Sequence, residues 1–142
     1  GTWEADIIGF MNPEHPDTSK ATNVASTFMN GLFQEGKYTG NMMGMPFEGR
    51  SLMGYDNAKK VYVSTWIDNM GSGVIFMTGH WDEAGKTLHL KGKQSNPLDG
   101  TDMDIREEMK IIDDNTYTLT MYGIGMSGQE EKFMEGTFRR KM

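Results

Sequence analysis

The chain has no cysteine, which excludes disulfides, thiol catalysis and cysteine-held metal sites. The same absence says little about compartment, because a domain of this length folds without covalent bridges. Proline is scarce, with four residues, and two of them, Pro13 and Pro16, mark a loop over 12–20. No apolar run approaches the roughly 18 residues of a membrane-spanning helix. Positive charge is also in short supply: 14 Lys and Arg stand against 20 Asp and Glu, a formal net charge of −6. The acidic groups are spread along the chain, and the one basic run, Arg139-Arg140-Lys141, is short and reads as a solvated strand end. That distribution lacks the electrostatic footprint for nucleic acid or an anionic membrane surface. No leader precedes the first strand-like segment at Gly1. A segment removed upstream would leave the same beginning, so nothing follows about export.

Glycine and methionine are abundant instead, with 18 and 14 residues. Frequent glycine suits tight turns, and methionine fills irregular apolar space or lines an adaptable cavity. Asn30-Gly31 is a hairpin signal. Further turns are expected at Asp56-Asn57-Ala58-Lys59, Asp82 to Lys86, Asp113-Asp114-Asn115 and Ser127-Gly128. Between them lie strand-like segments near 2–11, 21–29, 32–43, 46–55, 60–68, 73–82, 86–93, 101–112, 115–125 and 129–141. In one of these Met103, Ile105, Met109 and Ile111 fall on one face, and Asp104, Arg106, Glu108 and Lys110 on the other. That is period two, and no segment carries a helical stripe. The fold class expected is all-β, one domain of about ten strands over residues 1–142, and a meander this regular argues for a barrel or a sandwich. Closure removes exposed edges, and a barrel of that size leaves room for a cavity.

Gly1-Thr2-Trp3 on the first strand and Arg140 on the last resemble the calycin superfamily of lipocalins, fatty-acid-binding proteins and avidins. The resemblance implies that Arg140 lies over Trp3 and plugs one barrel end, so that Trp3→Ala would cost about 3–5 kcal/mol. A longer resemblance runs through Gly44-Met45-Pro46-Phe47-Glu48-Gly49, Gly54 to Lys60, Ser64-Thr65-Trp66-Ile67-Asp68-Asn69, Gly100, Arg106-Glu107, Met134-Glu135 to Phe138, and Arg140-Lys141. These segments are similar to the domain-of-unknown-function 1579 family, a bacterial family with many members in Bacteroides-like organisms. The resemblance implies a single up-and-down antiparallel barrel of about ten strands, calycin/lipocalin-like, and brings no activity or cofactor. Gly136 and His80-Trp81 depart from the family's usual residues, smaller in the first case and bulkier in the second, which puts cavity size and shape in doubt.

Few residues suggest chemistry. His80 and His89 flank the Asp82–Lys86 turn and face each other if the loop is Glu83–Lys86, close enough to share a metal. The same register puts Trp81, Leu88 and Leu90 on the opposite face, so the histidines should point to solvent and no metal is expected. His15 has no visible partner. Glu107-Glu108 and Asp113-Asp114 are adjacent, so their side chains point to opposite faces and form no acid–base pair by adjacency. Asp68, at a strand end, should accept backbone N–H bonds of the next turn or serve as a polar anchor at the barrel mouth. No nucleophile elbow or phosphate loop is present, and Tyr55-Asp56 reads as a strand entering a turn.

A binding cavity remains. Trp66, Trp81, Met109, Met121 and Tyr122 are its expected apolar and aromatic walls. Arg106 is its polar contact, on family position alone, since its parity points outward. Whether Trp66, Ser64 and Tyr62 or Val63, Thr65 and Ile67 face inward is open. Met42 to Pro46 reads as a strand connection over the core or as a lid. The functional expectation is a small, largely apolar ligand. The alternatives are a structural or interaction module that uses the outer face, with a homodimer as one form of it, and an enzyme of unknown class.

Overall fold

The computed structural model describes residues 1–10, 14–124 and 128–142. Ten strands follow in order: β1 (Thr2–Gly9), β2 (Asp17–Phe28), β3 (Phe33–Met42), β4 (Met45–Asp56), β5 (Val61–Asp68), β6 (Ile75–Asp82), β7 (Thr87–Ser95), β8 (Asp102–Asp113), β9 (Thr116–Ile124) and β10 (Glu130–Arg140). Each pairs antiparallel with its sequence neighbour, and β1 pairs with β10, which closes the barrel. The expected all-β meander is therefore observed, and no helix occurs among the described residues.

Turn chemistry sets the register. Asp56 Oδ1 accepts the N–H groups of Ala58 and Lys59, and Asp113 Oδ1 accepts that of Asn115. These are Asx turns, in which a short carboxylate replaces a backbone acceptor. The Asn30-Gly31 hairpin is a four-residue loop between paired Phe28 and Phe33, with Met29, Asn30 and Gly31 all at positive φ. The Met42–Pro46 stretch is a two-residue hairpin: Met43 and Gly44 take φ of 51° and 77° between paired Met42 and Met45. Both positive values match the right-handed twist of the strands they join. Met43 and Met45 are exposed, so they do not cover the core.

The 12–20 loop is shorter than the sequence suggests. Asp17 to Lys20 continue the ladder opposite Gly9 to Asp6, because β1 offers unpaired groups that these residues can meet. Pro13, and Ser127 of the Ser127-Gly128 turn, lie outside the described residues.

Alternation sorts each strand into an inner and an outer wall. Met77, Leu88, Leu90 and Ile105 form one buried cluster and Ala5, Tyr117 and Phe138 another. The open parity of β5 resolves with Ser64 buried, so Tyr62, Ser64 and Trp66 face inward and exposed Ile67 faces out. Gly49 makes this possible: the Trp66 ring lies so close over it that a Cβ there would clash.

Candidate functional site

The barrel encloses a cavity of about 580 Å³ that reaches from Trp3 and Arg140 at one end to Met42, Phe47 and Met70 at the other. Its inner wall carries a continuous aromatic chain. The Phe47 and Trp66 rings stack with centroids 6.3 Å apart, and Tyr38 meets Trp66 edge-on at 5.1 Å. Phe138 lies edge-on to Tyr38 at 6.1 Å and stacks nearly parallel on Tyr117 at 4.7 Å. Tyr117 in turn meets Trp3 edge-on at 4.9 Å. Offset-stacked and edge-on contacts suit the ring quadrupole and add about 0.5–1.5 kcal/mol per pair beyond burial.

The chain ends in a cation. The Arg140 guanidinium carbon sits 4.4 Å from the Trp3 ring centre, and Nη2 donates to the Asp114 carbonyl at 3.1 Å. Trp3 and Arg140 are direct partners in the β1–β10 register. At the other end, Asp68 divides its carboxylate. Oδ2 accepts the Trp66 indole N–H at 2.7 Å, and Oδ1 accepts the Met70 N–H at 2.9 Å. One side chain thus caps the turn and fixes the ring.

Among these rings lies a small polar group. Asn23, 3% exposed, donates from Nδ2 to the Tyr117 hydroxyl at 3.1 Å, while its Oδ1 is buried without a hydrogen-bond partner. Glu107, 8% exposed, also lines the cavity, between its strand partners Leu90 and Met121. Burial alone pushes its carboxyl up to about 7, because no neighbouring cation offsets the loss of water. Burial likewise raises the Tyr38 and Tyr117 phenols, and the charge of Glu107 adds to both shifts. The cavity therefore joins an aromatic wall to two polar groups: Asn23 Oδ1, which lacks a donor among the described residues, and the Glu107 carboxyl.

The model of a protein family of unknown function, DUF1579, matches residues 1–140. The chain belongs to the DUF1579 family. No curated protein sequence matches this DUF1579 chain. Among solved structures it is similar to Rv2717c from M. tuberculosis, with a TM-score of 0.75 at 10% sequence identity, covering 100% of this chain and 92% of that one. At that identity the likeness shows the fold alone.

In this DUF1579 barrel, Trp66, Met109 and Met121 line the cavity. The other three expected ligand contacts stand elsewhere. Arg106 and Tyr122 are strand partners on the outer wall, where the guanidinium lies 3.9 Å over the Tyr122 ring and pairs with Glu108 and, at 2.8 Å, with Glu130. Their parity, opposite that of Ile105 and Met121, decides this. Trp81 shares the face of buried Leu88 but sits at the end of β6, 37% exposed, with its indole N–H donated to Glu83 at 2.6 Å. His80 and His89 are strand partners outside the cavity. His89 lies 3.8 Å from Glu108 and 4.0 Å from Asp82. No group of three His, Cys, Asp or Glu among the described residues is placed to hold a metal.

Sequence reasoning missed Asn23, Tyr38 and Glu107. For Glu107 the signal was present: it falls in the row Met103, Ile105, Met109, Ile111, so period two already placed it inside.

Proposed function

We propose that this DUF1579 chain is a bacterial, calycin-like and lipocalin-like binding barrel, one domain over residues 1–142, that holds a small, largely apolar molecule in its interior. The observation that carries this reading is the cavity of about 580 Å³ walled by Trp66, Tyr38, Phe138, Met109 and Met121. Ligand pockets of about 300–1,000 Å³ are typically apolar with a few convergent polar groups, which Asn23 and Glu107 supply here. The test is N-phenyl-1-naphthylamine, a neutral apolar dye that fluoresces on leaving water. Its emission should rise with the wild-type chain and fall back with Ser64→Phe, whose ring would occupy the cavity. Equal emission from both folded proteins would overturn the reading. Mass spectrometry of molecules retained through a native preparation would then identify the natural ligand.

A second reading, an interaction module or homodimer, draws on the outer wall. Leu52, Thr65 and Phe76 are successive strand partners, and Leu52, Phe76 and nearby Ile67 are exposed. Contiguous exposed apolar side chains mark interaction surfaces. Sedimentation showing a strict monomer at high concentration would remove this reading.

A further inference from the structure

We propose that the ligand carries a cationic nitrogen, an ammonium or amidinium group, which docks between Glu107 and Asn23 Oδ1 with its apolar body along the aromatic wall. This rests on the cavity-binding reading and narrows its ligand to one chemical class.

Three independent features converge on it. The first is the state of the two acceptors. Glu107 carries its carboxyl on the inner wall and pairs with no cation among the described residues, and Asn23 Oδ1 is a buried acceptor with no donor there. A buried acceptor left unpaired is costly, and an ionised one more so. A ligand that brings N–H donors removes both penalties at once.

The second is the disposition of the protein's own cations. Among the described residues Lys20 and Arg140 are the two that reach the cavity lining, and both are engaged elsewhere. Lys20 pairs with Asp6 at 2.5 Å, and Arg140 lies over Trp3 and donates to the Asp114 carbonyl. The other ionisable groups on the lining are acidic or phenolic: Asp68, Asp113, Asp114, Tyr38 and Tyr117. Leu90 and Met121, which flank Glu107 on β7 and β9, carry no charge. The cavity's charge is negative and unneutralised, so an anionic ligand is disfavoured and a cationic one is drawn in.

The third is the wall itself. Rings of Trp66, Tyr38 and Tyr117 offer π faces, and a cation over such a face is attracted most strongly where water is excluded. A neutral apolar ligand uses these rings but leaves Glu107 unpaired. Only a cation uses rings and carboxylate together.

A matched set of probes separates the possibilities: tryptamine, indole-3-ethanol and indole-3-acetate share one ring and differ in a cationic, neutral or anionic head. Calorimetric titration of the folded wild-type chain at pH 8 should give tryptamine an affinity at least about tenfold above indole-3-ethanol, the scale of one charge-assisted hydrogen bond. Indole-3-acetate should bind weakest. Glu107→Gln should abolish the tryptamine preference, while Glu108→Gln on the outer wall should leave it within about threefold. The wild-type chain gives a second check without substitution. Protonation of Glu107 at pH 5.5 should shrink the preference, because the carboxyl titrates near 7. Equal binding of the three heads, or a preference for the acid, overturns the inference and leaves the apolar cavity reading intact. A tryptamine preference unchanged by both Glu107→Gln and pH overturns the assignment to Glu107. If none of the three binds at millimolar concentration, the inference and the cavity reading both fall.

Discussion

Glu107 and Glu108 are neighbours in sequence and live on opposite sides of one wall. Glu107 points inward among Leu90, Met121 and the phenols, without a cation, and its carboxyl is held up at about 7. Glu108 points outward, paired with Arg106 and 3.8 Å from His89, with water at hand. The same residue type is a cost on one face and a modest gain on the other. A folded protein that tolerates the cost inside, when leucine or glutamine would fit the parity, has placed an acid where an apolar residue would stabilise it. Strain of this kind gathers at functional sites.

The contrast between the two walls can be broken by substitution. The largest effect is expected at Phe138, 2% exposed at the centre of the aromatic chain. Phe138→Ala should lower stability by about 3–5 kcal/mol in urea titration, since the closed barrel cannot collapse onto the gap. Next is Glu107→Gln, which should raise stability. The unfolded carboxyl titrates at 4.5 and the folded one at about 7. Between those values the unfolded chain has released a proton that the folded chain keeps, so stability falls as pH rises and levels off above 7. Glu107→Gln removes that loss, a gain on the order of 3 kcal/mol at pH 8 that disappears near pH 4. Unfolding of both proteins across that range checks the sign; a constant difference would place Glu107 in water. The smallest effect is expected at Glu108→Gln: a change within about 1 kcal/mol that shrinks further in high salt, because partly exposed ion pairs are screened. A loss as large as that at Phe138 would mean that the outer wall is a buried surface.

What could be read from the sequence follows the reach of each signal. Strand existence was legible because alternation and turn residues are local, as at Asp113 to Asn115 and in the Met103–Ile111 row. Closure and the Trp3–Arg140 contact entered through a family resemblance, since a pairing between the first and last strands leaves no local trace. Parity was available for Arg106, Tyr122 and Glu107 and would have sorted all three. Family position points the other way for Arg106 and aromatic character does so for Tyr122, while Glu107 is the one charged side chain in an otherwise apolar row. Trp81 shows the limit of parity, which says which wall a side chain joins but not how near the strand's end meets water. The meeting of Asn23, Tyr38 and Tyr117 lay beyond such reasoning, because it joins β2, β3 and β9 across the interior.

The β1–β10 pairing also bears on how fast the molecule assembles. Every other pairing joins consecutive strands and forms with little loss of chain entropy. Strands β1 and β10 are expected to meet last, after the intervening sheet has curled round, so their contacts should form late in folding. Substitutions along this line should therefore shorten the lifetime of the native state while leaving the refolding rate nearly untouched. The contact that shuts the cavity would then also be the clasp that sets how long the molecule stays shut.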